Sequence, residues 1–256
     1  MKNAMKNRLR AGGNTIGCWL FSGSVASAEI LSNCGFDALI FDHEHSPGGI
    51  DTALGQLRAI GPSESTALVR LGDCSTAAIK RVLDLGAEGI VIPNAEDPEE
   101  IARLVAGAHY PPAGTRGAHF TVSRAARWGL DGDRYAANAS DELLVIAMIE
   151  SAAGVAAIPD LAAIGGIDLL FIGPLDLSAS IGCMGNYADP AFVEILGEAE
   201  RRTNEAGVML AGSTMPGHSV SELFARGYRF VTPISDVALL RDGGRAQVQS
   251  FRELGG

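Results

Sequence analysis

Apolar residues in this chain gather into short continuous runs, with helical patterns between them. One unit recurs: a helical pattern closes at a glycine, a few residues follow, and an apolar run begins. Runs of this kind follow Gly35, Gly86, Gly166, Gly207 and Gly227, predicting strands over 37–41, 89–92, 168–172, 208–211 and 229–232. A glycine at a helix end can take the left-handed conformation that closes the last turn. Three more strands fit at 15–20, 66–69 and 143–149. The runs are apolar throughout, as expected of strands buried on both faces of a parallel sheet. Helices are predicted over 25–33, 50–60, 76–85 and 98–106, then over 152–163, 190–206, 217–226 and 236–254. Asp97 before Pro98 and Asp189 before Pro190 are the start signals such helices use.

Eight strands alternating with helices in 256 residues predict the α/β class: a single (β/α)8 TIM barrel over residues 1–256. A doubly wound open sheet is the alternative, but no Gly-x-Gly-x-x-Gly follows the first strand. The stretch 110–131 breaks the rhythm with Pro111, Pro112, Gly114, Gly117 and three arginines. Its length predicts an ordered lid or a subunit contact.

In a parallel barrel, side chains at the carboxyl ends of the strands converge on one rim. Glu150 ends the run Leu143 to Ile149, and Asp176 follows Phe171-Ile-Gly-Pro-Leu. Two carboxylates meeting there suit a hard divalent cation with positions open to water or substrate. Each also precedes a helix and could serve as its cap. Asp42-His43-Glu44-His45 follows the second strand. A turn there would let Asp42 accept a hydrogen bond from one imidazole nitrogen of His45, making the other a better base. The alternative is a polar loop capping the next helix. Arg70 ends the third strand, either as an anion clamp or in a rim ion pair. Trp19 is a pocket wall or a core residue. Gly173 permits close backbone approach, and the amides of Leu175 and Asp176 could cradle a carboxylate.

Lysine usage narrows the chemistry. The three lysines are Lys2, Lys6 and Lys80, and none ends a predicted strand. A Schiff base needs a lysine beside the substrate carbonyl. Carbon-acid chemistry in this chain would therefore use a metal as electron sink. The formal net charge of -10, with no basic run, argues against a nucleic-acid partner. Cys18, Cys34, Cys74 and Cys183 form no Cys-x-x-Cys pair and require no disulfide. No apolar run approaches the roughly 20 residues of a membrane span, and the basic amino terminus lacks a signal-like apolar core. A cytoplasmic enzyme is expected.

Taken together, the chain resembles the HpcH/HpaI aldolases, metal-dependent (class II) pyruvate aldolases. The matching pieces are Gly17-Cys-Trp19-Leu, Phe41-Asp-His-Glu-His45-Ser-Pro, Val69-Arg70, Leu83-Asp84-Leu-Gly86, Tyr110-Pro-Pro-Ala-Gly-Thr-Arg116-Gly, Met148-Ile-Glu150-Ser and Phe171-Ile-Gly-Pro-Leu-Asp176-Leu-Ser. Their order and spacing together are specific. The resemblance implies a barrel whose last helix is exchanged between subunits of a homohexamer. It implies that Glu150 and Asp176 bind Mg2+, Mn2+ or Co2+, which pyruvate chelates through its keto and carboxylate oxygens. Arg70 would stabilise the enolate, and His45, oriented by Asp42, would move protons at the aldol hydroxyl. Asp84 would reach a neighbouring subunit's site. The implied reaction is cleavage of a 4-hydroxy-2-oxo acid to pyruvate and an aldehyde. Rival readings are a CoA-ester lyase of a related barrel and a noncatalytic assembly subunit. His43, Met148 and the segment from Thr232 to Asp236 depart from the family's pattern and bear on the aldehyde pocket.

Overall fold

The computed structural model describes residues 3–254, so Lys2 lies outside the described residues. Eight parallel strands close into a barrel in chain order. They are β1 (Thr15–Leu20), β2 (Ala38–Asp42), β3 (Thr66–Arg70), β4 (Gly89–Ile92), β5 (Leu144–Ile149), β6 (Leu169–Ile172), β7 (Met209–Ser213) and β8 (Tyr228–Ser235). The helices are α1 (Ala4–Arg10), α2 (Val25–Ser32), α3 (Ile50–Ile60), α4 (Thr76–Leu85), α5 (Pro98–Ala108), α6 (Gly132–Glu142), α7 (Ala152–Ala162), α8 (Pro174–Ser180), α9 (Pro190–Glu205), α10 (Val220–Ala225) and α11 (Asp236–Glu253). No helix among the described residues is long and apolar enough to cross a membrane.

The strands carry two apolar rows, which is why they read as continuous runs. Ala38, Ile40, Leu68, Val91, Ile146 and Phe171 fill the barrel interior. The alternate residues, among them Leu39, Phe41, Val69, Ile90 and Val145, pack under the helices. Successive strand side chains point to opposite faces. Extending an inner row by two residues therefore carries it from Ile40 to Asp42, from Leu68 to Arg70 and from Met148 to Glu150.

Two helices were not predicted, α1 and α6, and α8 was expected only as a short helix start at Leu175 and Asp176. Asn3 caps α1 by accepting the Lys6 backbone N–H. Met5 and Leu9, one turn apart, plug the amino end of the barrel interior. Lys6 sits there too, paired with Asp168 at 2.9 Å, far from the strands' carboxyl ends. Lys80 lies in α4, so neither described lysine serves the rim. The helix predicted from 217 starts only at Val220. Ser219 and Glu222 form a reciprocal capping box there, and Gly217 has a φ of +84°.

The stretch 110–131 contains a short 3-10 turn, Arg124–Gly129. Its Tyr110 and Ala126 form a small core with Tyr135 and Ala139 of α6. Arg124 donates to the carbonyls of Leu85 and Leu57 near the carboxyl ends of α4 and α3. In a barrel those helix ends lie opposite the catalytic rim. The lid alternative is thus corrected for this chain: the stretch packs beside the helices, and its exposed Trp128 and Leu130 suit a subunit contact.

Candidate active site at the carboxyl rim

A cavity of about 520 Å3 opens at the carboxyl ends of the strands, and Arg70, Glu150, Asp176, His45, Trp19 and Met148 all contribute to its lining. A larger recess of about 720 Å3 lies between α3, the α4 end and the 3-10 turn, and none of these residues lines it. The strand register explains the convergence. Asp42 pairs with Arg70 across β2 and β3, Ile149 with Ile172 across β5 and β6, and Ser213 with Thr232 across β7 and β8.

Arg70 is held on three sides. Its Nε donates to Asp42 Oδ1 at 2.7 Å, and its Nη1 lies 3.1 Å from Glu44 Oε2. Its guanidinium sits 4.8 Å from the Trp19 ring centroid. Trp19 is a pocket wall, fixed by donation from Nε1 to Thr232 Oγ1 at 3.0 Å and by stacking on Phe21. Asp236 secures the loop behind it by accepting the backbone N–H groups of Phe21 and Ser22. Burial alone would raise the Asp42 carboxyl. The hydrogen bond and charge of Arg70, with two backbone amides, outweigh burial and hold it below its ordinary value.

Those amides correct the expected dyad. Asp42 Oδ2 accepts the backbone N–H of His45 at 3.0 Å, and Oδ1 accepts that of Glu44 at 3.1 Å. Asp42 therefore closes the loop and braces Arg70; it does not contact the His45 imidazole. That imidazole is exposed at the cavity mouth, with Nε2 3.8 Å from Glu44 Oε2. In sequence His43 and Glu44 are each open as a functional partner in this loop; the structure puts Glu44 beside Arg70, and it adds the Asn94 amide, which the sequence did not suggest. His43 does not line the cavity. Its half-buried ring is pushed below the ordinary histidine value by desolvation, against the pull of Asp42. Asp84 pairs with Arg116 at 2.7 Å and is not part of this chain's cavity.

Glu150 is buried, with one hydrogen bond, from the Asn94 backbone N–H to Oε2 at 2.9 Å. Asn94 holds a left-handed φ of 51° to aim that amide. Gly173 makes room on the other side: a Cβ there would stand 2.8 Å from Glu150 Cγ. Desolvation is the main reason the Glu150 carboxyl is raised to about 7, with the charges of Asp176 and Glu44 adding to it. The cap alternative does not apply to either carboxylate. Ser151 caps α7, and Gly173 occupies the cap position of α8 without a side-chain bond. Asp176 stands in the first turn of α8, where the Leu175 and Asp176 amides precede the first intrahelical bond, from Leu177 N–H to the Gly173 carbonyl.

This donor set fits a divalent cation. The charges of Asp176 and Glu44 act on the buried Glu150 carboxyl, and Arg70 is already engaged by Asp42 and Glu44. No cluster of three or more His, Cys, Asp or Glu ligands exists among the described residues. Two carboxylates would leave the remaining positions to water and substrate oxygens, the arrangement of an open oxygen-ligand site.

The family described as HpcH/HpaI aldolase/citrate lyase matches residues 15–242. A Salmonella paratyphi B protein named 4-hydroxy-2-oxo-heptane-1,7-dioate aldolase is 36% identical over 252 residues, covering 98% of this chain and 95% of the relative. The crystal structure of an HpcH/HpaI aldolase/citrate lyase family protein from Burkholderia cenocepacia J2315 is 34% identical, with a TM-score of 0.90, covering 98% of this chain and all 100% of that one. The citrate synthase SbnG shares the fold at 24% identity and a TM-score of 0.87, with 98% of each chain covered. With that coverage, the chain belongs to the HpcH/HpaI aldolase/citrate lyase family.

Proposed function

We propose that this carbon–carbon lyase reversibly cleaves a 4-hydroxy-2-oxo acid to pyruvate and an aldehyde, with Mg2+, Mn2+ or Co2+ held by Glu150 and Asp176. The observation that carries the reading is the meeting of Glu150, Asp176 and Arg70 in one rim cavity. The name of the Salmonella relative supports the substrate class. When bound, the cation would polarise the 2-keto group and serve as the electron sink.

The chain's own groups supply the rest. Arg70 Nη2, free of protein partners among the described residues, donates to the keto oxygen and stabilises its growing charge. The Leu175 and Asp176 amides receive the substrate carboxylate. His45, at the cavity mouth, takes the 4-hydroxyl proton directly or through water. As that proton leaves, the carbinol oxygen forms the aldehyde carbonyl, and the electron pair of the C3–C4 bond passes into a pyruvate enolate. Protonation at C3 then gives pyruvate. Trp19 and Phe171 keep the reacting carbons in an apolar wall. Glu44, 3.8 Å from His45 Nε2, steadies the imidazole in the role first expected of Asp42.

The same reading includes a homohexamer in which α11 is exchanged between subunits. Support comes from α11 itself, where Asp236 is the only buried residue and Leu240, Val248 and Phe251 are exposed. Light scattering on the full chain tests it; a monomer would refute it.

The activity test follows the methyl signal of pyruvate in D2O with Mn2+ or Mg2+. Exchange that stops on adding EDTA is expected, and Glu150→Ala should abolish it in protein with a native circular dichroism spectrum. Normal exchange by folded Glu150→Ala would refute the assignment.

A further inference from the structure

The rim cavity has two unlike halves. β2, β3, β5 and the start of α8 bring Arg70, Glu150 and Asp176 to it, with Asp42 and Glu44 behind Arg70. β7, β8 and β1 bring Ser213, Thr232, Ile234 and Trp19, with Phe21 alongside, and none of these is charged. The charged half is taken up by the pyruvate end of the substrate. The neutral half is left to the aldehyde end.

The hydroxyls of that half differ in what their hydrogen bonds leave open. An indole N–H can only donate, so Thr232 Oγ1 accepts from Trp19 at 3.0 Å. Thr232 Oγ1 also lies 2.7 Å from Ser213 Oγ. Thr214 spends its hydroxyl proton on the Pro233 carbonyl, and Ser235 Oγ accepts the Ala238 N–H as the cap of α11. Thr232 can give its own proton to Ser213 or to the Gly212 carbonyl at 3.5 Å; in either arrangement Ser213 Oγ keeps an acceptor site open to the cavity, and it keeps a donor as well when Thr232 gives its proton to Ser213.

Resting on the aldolase reading, we infer that the aldehyde half is uncharged and carries its polar groups as hydroxyls, and that Ser213 is the residue that selects it. Cleaving a 4-hydroxy-2-oxo-heptane-1,7-dioate between C3 and C4 would instead leave an aldehyde with a terminal carboxylate. The neutral half that faces the aldehyde end offers such a carboxylate no cationic partner. The basic residues lining this chain's cavity are Arg70 and His45. Arg70 is braced by Asp42 and Glu44 and used by the keto oxygen, and His45 is used as the base at the aldol hydroxyl. Substrate discrimination by a built hydrogen-bonding group exceeds that by shape alone.

The experiment measures kcat/KM for condensation of pyruvate with aldehydes by the full-length protein and Mn2+. One pair is butanal and succinic semialdehyde; the other is lactaldehyde and propanal. Butanal should exceed succinic semialdehyde by about tenfold or more. Ser213→Ala should lower the lactaldehyde-to-propanal ratio by roughly tenfold, with Ser213→Thr restoring most of it. Equal or better use of succinic semialdehyde, or an unchanged ratio in Ser213→Ala, overturns the inference. Pyruvate methyl exchange by the wild type separates the two readings. Exchange with a preference for succinic semialdehyde sinks this inference alone. Neither exchange nor condensation with any aldehyde sinks the aldolase reading and this inference with it.

Discussion

Glu150→Gln should make the metal-free protein more stable, and by an amount that grows with pH. The carboxyl is buried at 6% exposure and raised from 4.5 to about 7, chiefly by desolvation. Each factor of ten in a proton equilibrium is about 1.4 kcal/mol, so the full displacement corresponds to about 3 kcal/mol. The folded state binds the proton more tightly than the unfolded state does. Stability is therefore complete below about pH 4.5 and falls as pH rises toward the folded value near 7. Above that, the loss is constant. Glutamine has nearly the same shape, can still accept the Asn94 N–H, and does not titrate. Between about pH 5 and pH 8.5, the gap between variant and wild type should widen by about 2.5 kcal/mol in favour of the variant. Urea denaturation of both proteins in EDTA at the two pH values measures it. A gap independent of pH, or one that narrows as pH rises, would refute the argument. Adding Mn2+ at high pH should close the gap, because binding to the native state stabilises wild type and not the variant.

Other consequences follow from the same geometry. Gly173→Ala places a methyl 2.8 Å from Glu150 Cγ, so the carboxylate must move; isothermal titration should find Mn2+ binding weakened by roughly tenfold to a hundredfold. Arg70→Lys loses the fork that spans Asp42 and Glu44 while presenting a donor to the keto oxygen, and kcat/KM should fall roughly a hundredfold or more in steady-state assays. Burial raises the Cys18 thiol to about 12; a thiol reagent at pH 8 should label exposed Cys34 promptly and Cys18 only after denaturation, as mass spectrometry of peptides would show.

Much of the site could be anticipated because it lies in regular structure. Glu150 and Arg70 are the next inward positions of apolar strand rows, so locating the strands located them. Trp19 is on such a row too. The loop after β2 behaved differently. Asp42 and His45 are three residues apart, a spacing compatible with a side-chain pair. The backbone instead turned so that the His45 amide, not its ring, faces Asp42. Turn geometry of that kind depends on Arg70 pulling Asp42 inward from the neighbouring strand, a contact between residues 28 apart in sequence. The α1 plug was missed for a related reason. Seven residues with Met5 and Leu9 as their fully buried apolar pair give a weak local signal. The helix is held by tertiary contacts at the open end of a barrel.

Local patterning therefore settled the number, order and type of strands, because both buried rows are apolar and the helix starts carry their own caps. It also supplied the identities of the rim carboxylates and of the arginine. Long-range packing settled how those groups behave. It stacked Arg70 on Trp19, gave Asp42 the bracing role, and set Gly173 against Glu150 so that a buried charge fits at all. Protonation at Glu150 and the neutral face around Ser213 belong to this second level. Both arise from groups on different strands brought within a few ångströms, a distance the one-dimensional pattern does not encode.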